Sequence, residues 1–321
     1  MKDRSERPCS KHSTNRRWRL GSATSPCERC DRIWCIEPGS TDRSDAVEST
    51  TFTFPDAVPV IGGRPAVATT EGARWYCHGG VESYGLAVVG ALLREGGTFV
   101  DVGANIGSYT IAASLTAGSA GLVHAVEPSE PTFAMLRATV ELNQLTDRVR
   151  LHNCAAGATS GQRSFLEHHM DLLSSFSAGP LHSEGSFDEV VVAQRTLDSM
   201  IPDQVDMLKI DVEGAELDVL TGAEHIFERN PDMLIMFEVA PAYWRGSGVA
   251  LDDLLVTIPT ANRSLWLIAD HAESSPFGPI SRFEDVERWI VEEASPLWYA
   301  NLLSVPRTLD RAMLDLSESP S

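Results

Sequence analysis

The stretch TFVDVGANIG, residues 98–107, decides the fold because it joins a short apolar strand to a glycine-bearing turn. A helix over residues 108–117 is predicted to follow this turn. Glycine at positions 103 and 107 lets the backbone turn sharply and approach a ligand without a Cβ in the way. The free backbone N–H groups at the start of the helix suit a negatively charged ligand group. The stretch is typical both of nucleotide binding and of an ordinary strand–turn–helix in an α/β protein.

The turn matches the dinucleotide fingerprint G-x-G-x-x-G only in part, because Asn105 stands where that fingerprint has glycine. The next predicted strand, 122–126, ends immediately before Glu127. In nucleotide-binding α/β folds, an acidic residue near this point accepts hydrogen bonds from the ribose hydroxyls. Glu127 is therefore the candidate ribose-binding residue if the stretch binds a nucleotide, and the ordinary strand–turn–helix interpretation stays open.

Apolar strands alternate with helices through the middle of the chain, which is typical of a parallel sheet covered on both faces. The predicted strands are 98–102, 122–126, 149–154, 205–210 and 233–239, with two later candidates at 264–269 and 299–305. The predicted helices are 81–94, 108–117, a helix capped by Ser129 with Pro131 in its first turn, and 216–229. Residues 155–195 form an excursion with strand-prone pieces at 163–167 and 189–194, and insertions of this length are usually functional.

A second motif, DMLKIDVEGAE at 206–216, places Asp211 at the carboxyl end of the fourth strand and Glu213 just beyond it. That edge is where open α/β sheets bind their ligands. Lys209 is the only lysine beyond residue 11. Two interpretations stay open: the site requires an amine at this position, or Lys209 forms a structural salt bridge with a neighbouring carboxylate.

These motifs resemble the FkbM family of S-adenosylmethionine-dependent methyltransferases. The matching pieces are DVGANIG (101–107), EP (127–128), the pattern Asn153-x-Ala155-x-Gly157, Ser174-Ser175, TLDS (196–199), LKIDVEGAE (208–216) and the strand ending at Glu238. The resemblance covers about residues 80–305. It implies a class I methyltransferase fold: a Rossmann-like α/β sheet of seven strands, with helices on both faces and the last strand antiparallel.

The resemblance also implies where the cofactor, S-adenosylmethionine, binds. The turn 101–107 would hold the methionine part, Glu127 the ribose, and the segment 153–155 would lie near the adenine. Glu82, upstream of the first strand, would close over the cofactor. The implied cofactor-binding residues are Glu82, Asp101, Gly103, Asn105, Gly107, Glu127, Asn153 and Ala155. The chain departs from the family pattern at Ala158, often acidic in the family, and after Glu238, where the family often has histidine.

Four residues are candidates for the chemistry. Asp211 and Glu213 are predicted to act as general base or to orient the acceptor, with Lys209 tuning them by its charge. His169, in the excursion, is either a further base or a loop histidine without a catalytic role. The excursion, with Ser174 and Ser175, is predicted to form a lid over the acceptor. Asp171, Asp211 and Glu238 offer oxygen atoms that suit either a divalent cation or ordinary hydrogen bonds, and no metal is assigned.

Charge and hydropathy limit the partners. The formal net charge is −19, and residues 1–45 carry 10 basic and 7 acidic residues, so the rest of the chain is still more acidic. Such a surface repels phosphate backbones, and a nucleic-acid substrate is not expected. No run of 18 apolar residues predicts a membrane span, and no signal peptide is evident, so a cytoplasmic location is predicted.

The sequence predicts four regions. These are a disordered tail (1–50), a small β/helix cap (51–96), a methyltransferase domain (97–306, with 155–195 as an acceptor-side insertion) and a C-terminal tail (307–321). Cys27 and Cys30 form a C-x-x-C pair in the first region, which is either a zinc knuckle or a pair of incidental thiols.

The leading functional hypothesis is O-methylation of a hydroxyl on a small molecule or glycan, with S-adenosylmethionine as donor. Two alternatives stay open: methylation of a protein or nitrogen acceptor, and a non-catalytic ligand-binding module of the same fold. The charged group Lys209, Asp211 and Glu213 at the ligand-binding edge favours an enzyme, because a binding module has no need of it.

Overall fold

A computed structural model describes residues 60–61, 64–68, 83–168, 187–240, 249–259, 261–268, 278–280, 286 and 300–317. Its strands are β1 (Val60–Ile61), β2 (Arg64–Pro65), β3 (Thr98–Val102), β4 (Leu122–Val126), β5 (Val149–His152), β6 (Ala155–Ala156), β7 (Gly161–His168), β8 (Phe187–Arg195), β9 (Met207–Ile210), β10 (Leu234–Val239), β11 (Arg263–Ile268), β12 (Gly278–Pro279) and β13 (Ala300–Pro306). Its α-helices are α1 (Ser83–Leu92), α2 (Ser108–Ala117), α3 (Glu130–Leu142), α4 (Leu197–Met200), α5 (Glu216–Thr221), α6 (Glu224–Arg229), α7 (Leu251–Thr257) and α8 (Asp310–Ser317).

The main sheet has the strand order β12-β11-β13-β10-β9-β3-β4-β5. Strands β10, β9, β3, β4 and β5 are parallel to one another, and β13 runs antiparallel to both β10 and β11. The seven predicted strands all form, and the two-residue strand β12 extends the sheet at one edge. The predicted class I methyltransferase fold, with its last strand antiparallel, is confirmed.

Two apolar clusters cover the two faces of this sheet. On one face, Phe99 and Met207 pack with residues of α1, α2 and α3. On the other face, Val100 and Leu208 pack with residues of α4 to α7. Neighbouring residues of a strand point to opposite faces, so a strand buried on both faces must be apolar at nearly every position. Strand β10 is the clearest case, because all six of its residues are buried.

The helix predicted over 216–229 is wrong as a single element, because it divides into α5 and α6 at Gly222. A Cβ built on Gly222 would lie 2.2 Å from the backbone oxygen of Gly157, so only glycine fits this close contact. The Gly222 carbonyl also accepts a hydrogen bond of 3.0 Å from the N–H of Asp198. Tertiary contacts therefore end α5 where helical periodicity alone predicts continuation.

The excursion after β5 forms a small sheet of its own. Strands β7 and β8 pair antiparallel along their whole lengths, and β6 pairs parallel with the end of β8. The two strand-prone pieces predicted there are confirmed as one hairpin. The segment 169–186 between these strands lies outside the described residues, and so do His169, Ser174 and Ser175 of the predicted lid.

The two ends of the described chain pack on the domain in different ways. The backbone N–H of Val67 donates to Thr139 Oγ1 in α3 (2.9 Å), and residues 66–68 are buried against Ile106 and Met135. After β13, the segment predicted only as a tail forms α8, whose Met313 is fully buried. The tail 1–50, including its C-x-x-C pair, lies outside the described residues. Among the helices that the structure describes, none has the length and apolar character to cross a membrane.

Candidate active site

The turn after β3 makes very close backbone contacts. Gly103 has a φ of 77°, and a Cβ at this position would lie 1.7 Å from the backbone oxygen of Asp211. The N–H groups of Gly103 and Ala104 both donate to the carbonyl of Val126, at 3.0 Å. Asn105 has a φ of 51°, in the left-handed region that asparagine tolerates better than most residues. This conformation explains why asparagine stands where the dinucleotide fingerprint has glycine.

Glu127 directly follows β4, and its carboxylate is held by two backbone donors. Oε1 accepts from the N–H of Ser129 at 2.9 Å, and Oε2 accepts from the N–H of Asn105 at 3.0 Å. The residue is 7% exposed. Each carboxylate oxygen has further acceptor capacity, so two hydroxyl groups of a ligand can still donate to it. The carboxylate that was predicted to bind a ribose therefore keeps acceptor capacity at the end of β4.

Burial raises the pKa of Glu127 to about 7, although the two backbone N–H donors oppose this rise. The carboxylates of the buried Asp101 and the half-buried Asp211 add a smaller repulsion that raises the pKa of Glu127 further. Burial dominates because the charged form loses its hydration. Hydroxyl groups of a bound ligand would favour the charged form by donating to it.

Asp101 lies on β3, fully buried at the centre of the same edge. Its Oδ2 accepts a hydrogen bond of 2.6 Å from the Thr110 hydroxyl in α2. Within the residues that the structure describes, no group donates to its Oδ1. Burial raises the pKa of Asp101, while the nearby positive charge of Lys209 opposes the rise. A buried oxygen without a donor is costly, so Asp101 fits a ligand that brings a donor of its own.

Lys209 forms a salt bridge with a neighbouring carboxylate, which is one of the two interpretations of its place in the sequence. Its Nζ lies 2.9 Å from Asp211 Oδ2 and 4.4 Å from the centroid of the Tyr109 ring. Lys209 is 3% exposed, and it pairs across the sheet with Asp101 in the register of β3 and β9. A buried ammonium needs such compensation, which the carboxylate and the aromatic face both provide. The salt bridge does not exclude a role for this amine at the site.

Asp211, Glu213 and Glu238 meet at the carboxyl ends of β9 and β10. One oxygen from each carboxylate lies within 4.8 Å of the others, an arrangement that hard divalent cations accept. The backbone of Glu213 is left-handed, with a φ of 53°. Lys209 already occupies Oδ2 of Asp211 and supplies positive charge beside this cluster. Asp171, which the sequence grouped with Asp211 and Glu238, lies outside the described residues.

Glu216 closes the loop that presents Asp211 and Glu213. It is fully buried, and its Oε1 accepts from the N–H groups of Val212 (3.3 Å) and Gly214 (3.0 Å). Glu216 belongs to the motif DMLKIDVEGAE, and no role was predicted for it from the sequence. Its signal was present, because an acidic residue in the first turn of a helix often accepts from backbone N–H groups before that turn.

Replacing Glu216 with alanine should lower the free energy of unfolding by about 2 kcal/mol, because two partly buried N–H groups lose their acceptor. Urea unfolding followed by circular dichroism measures this change. Glu216→Gln keeps an acceptor oxygen and should lose less. Glu224→Ala, in the first turn of α6, is the matched control for removing a glutamate side chain. Equal stability of the Glu216→Ala and control variants would contradict this role.

At the predicted adenine end, the chain links β5 to the start of α3. The carbonyl of His152 accepts from the N–H of Glu127 at 3.1 Å. The exposed Asn153 side chain donates from Nδ2 to Glu130 Oε2, and Ala155 is buried in β6. These contacts bring the predicted adenine segment next to the predicted ribose residue.

The structure thus brings most of the predicted site residues to one edge of the sheet. Glu82 and His169 lie outside the described residues, together with Asp171, Ser174 and Ser175. Besides Glu216, two contributors to the site had no role predicted from the sequence, Thr110 and Tyr109. A threonine and a tyrosine at the start of an apolar helix indicate only packing, so the sequence carried no signal for their contacts with Asp101 and Lys209.

The parallel sheet with antiparallel β13, and the glycine turn that meets Glu127 at its carboxyl edge, define a class I methyltransferase fold. A family model described as the methyltransferase FkbM domain matches residues 101–290. The chain therefore belongs to the FkbM methyltransferase family.

Solved structures with a similar fold include three methyltransferases. A methyltransferase FkbM from Methylobacillus flagellatus KT is 21% identical, over 54% of this chain and 41% of that chain, with a TM-score of 0.39. A putative rRNA-methylase from Clostridium thermocellum is 10% identical, over 70% of this chain and 93% of that chain, with a TM-score of 0.42. A SAM-dependent O-methyltransferase from Thermotoga maritima is 12% identical, over 70% and 64%, with a TM-score of 0.38. The match therefore spans less than half of the Methylobacillus protein, and no curated protein matches this chain.

Proposed function

We propose that the protein is an S-adenosylmethionine-dependent methyltransferase that methylates a hydroxyl of a small molecule or glycan. The observation that carries this proposal is the Glu127 carboxylate, held between the N–H groups of Asn105 and Ser129 at the end of β4. This arrangement suits a ribose diol, which supplies the two hydroxyl donors that the carboxylate can still accept.

The remaining residues fit the rest of this cofactor. No group among the described residues donates to Oδ1 of Asp101, and this supports binding of the amino group of the methionine part, because an ammonium brings a donor and a compensating charge. The turn at Gly103 and Asn105 supplies close backbone approach beside it. Asn153 and Ala155, next to the start of α3, would line the adenine. When bound, the cofactor supplies an activated methyl group on its sulfonium.

The chemistry left to the protein is to align the acceptor oxygen, exclude water and remove a proton. Alignment of reacting groups alone supplies several kcal/mol, up to about 7–11 in favourable models. Asp211 and Glu213 lie at the carboxyl edge, where one of them would accept the proton of the acceptor hydroxyl. Lys209 forms its salt bridge with Oδ2 of Asp211. The other carboxylate oxygen, Oδ1, would orient the acceptor.

The choice of acceptor rests on charge. Carboxylates accept hydrogen bonds from a hydroxyl, and the strongly acidic chain disfavours a nucleic-acid acceptor. The same carboxylates attract a cationic amine, so the protein or nitrogen acceptor is the competing outcome of the test.

Incubation of the protein with S-adenosylmethionine carrying an isotope-labelled methyl group, and with a cell extract, tests the proposal. We expect labelled small molecules or glycans with one added methyl on oxygen, identified by mass spectrometry. Label on protein or on nitrogen would replace the proposed acceptor by the alternative. Cofactor binding without any labelled product would favour the non-catalytic module.

S-adenosylmethionine at a hundredfold excess over its Kd should stabilise the fold by about 2.7 kcal/mol, and NAD should not.

A further inference from the structure

The hairpin of β7 and β8 contacts the proposed cofactor site through the side chain of Glu167. Glu167 lies one residue before the end of β7, and its Oε1 accepts a hydrogen bond of 2.9 Å from the hydroxyl of Ser129. Ser129 belongs to a different part of the fold, because it precedes α3 and caps that helix. This contact therefore ties the excursion to the segment that follows β4.

Ser129 donates hydrogen bonds to two different carboxylates, one from its backbone N–H and one from its hydroxyl. Its backbone N–H donates to Glu127 Oε1 at 2.9 Å, and its hydroxyl donates to Glu167. The residue is 2% exposed, so neither donor can turn to water without a cost. The position of the N–H that fixes Glu127 is thus tied to the position of Glu167.

Capping of α3 alone does not account for this arrangement. The Ser129 hydroxyl oxygen accepts from the N–H of Thr132 at 3.5 Å, which is long for a hydrogen bond. The shorter contact, to Glu167, involves a charged acceptor, and such hydrogen bonds are about twice as strong as neutral ones. Glu167 therefore sets the orientation of the Ser129 side chain more than the helix does.

We propose that Glu167 is a positioning residue for the cofactor, acting through Ser129 on Glu127. This inference rests on the proposed function, since the ligand that Glu127 would bind is the ribose of S-adenosylmethionine. It also gives the acceptor-side insertion a part in cofactor binding. A change in the hairpin reaches the ribose site through two hydrogen bonds.

Titration calorimetry of the full chain with S-adenosylhomocysteine tests this assignment. Glu167→Ala should raise the Kd about tenfold, which is the loss expected when a hydrogen bond to a charged group is removed. Glu189→Ala is the matched control, because Glu189 accepts from the hydroxyl of Ser164 in the same hairpin and has no contact with α3 in the described structure. The control should leave the Kd unchanged within about twofold.

Rescue separates positioning from a general structural effect. Glu167→Gln keeps an oxygen that accepts from Ser129, and should restore the Kd to within about threefold of the original value. Ser129→Ala should raise the Kd as Glu167→Ala does. The Kd of the double variant should be no higher than the higher of the two single-variant Kd values. Such non-additivity is what a shared hydrogen bond predicts.

The outcomes separate the two levels of the proposal. If the unaltered protein binds neither S-adenosylhomocysteine nor S-adenosylmethionine, the proposed function fails and this inference fails with it. If the unaltered protein binds and Glu167→Ala binds equally well, only the positioning role is overturned. Equal weakening in Glu167→Ala and Glu189→Ala, or no rescue by glutamine, also overturns it.

Discussion

Asp211→Asn should lower methyl transfer at least about a hundredfold while changing cofactor affinity only a few-fold. Asparagine keeps the size of the side chain but removes the negative charge that would take up or orient the acceptor proton. The Lys209 ammonium, 2.9 Å from Oδ2, would then lose its ionic partner. Turnover measured with the acceptor identified by labelling, together with the Kd of S-adenosylhomocysteine, separates chemistry from binding.

Asp147→Asn is a matched control for this variant, because Asp147 also pairs with a cation, Arg148, at 3.1 Å. Asp147 comes before β5, so it lies at the amino ends of the parallel strands, whereas the candidate site lies at their carboxyl ends. The control should turn over at the original rate. If Asp211→Asn also turns over at that rate, the base lies elsewhere and His169 is the next residue to substitute.

Glu127→Ala should weaken cofactor binding about a hundredfold or more, since two hydroxyl donors would lose a charged acceptor. Glu127→Gln should also bind poorly. Both carboxylate oxygens accept from backbone N–H groups, so an amide NH₂ would face the N–H of either Asn105 or Ser129. Calorimetric titration with S-adenosylhomocysteine measures both losses. Unchanged affinity in Glu127→Ala would overturn the ribose assignment.

The raised pKa of Glu127 adds a pH dependence with a definite sign. The folded pKa of about 7 lies above the ordinary value of 4.5, so the neutral form is the one that folding favours. The stability from this group is complete below about pH 4.5 and is lost as the pH rises to about 7, a change of about 3 kcal/mol. Glu127→Gln should abolish this part of the pH dependence in urea unfolding.

Cofactor affinity should instead rise with pH over the same window, because hydroxyl donors favour the charged carboxylate.

The sequence predicted the main sheet closely because its strands are apolar on both faces. Strands β3 and β4 and helix α2 have the predicted bounds, and the two strands predicted near 264–269 and 299–305 form β11 and β13. Buried parallel strands leave a pattern that needs no partner to be recognised. The division at Gly222 left no such pattern, since it depends on the backbone of Gly157, which is distant in sequence.

The candidate site was predicted less completely than the sheet, for a similar reason. Residues at strand ends, such as Asp101, Glu127 and Asp211, are marked by the strands that precede them. The contacts that hold these residues come from elsewhere: Tyr109 beside Lys209, and Glu167 beside Ser129. Such contacts depend on how helices and hairpins pack, which periodicity does not encode.

The position of β13 has a consequence for how the chain folds. This strand lies between β10 and β11, although both precede it in the sequence. During synthesis, the edges of β10 and β11 that pair with β13 therefore stay unpaired until residues 300–306 have left the ribosome. Unpaired strand edges are sites of aggregation, and pairings between distant segments form slowly. Nascent chains that stall before β13 should be the species that chaperones capture.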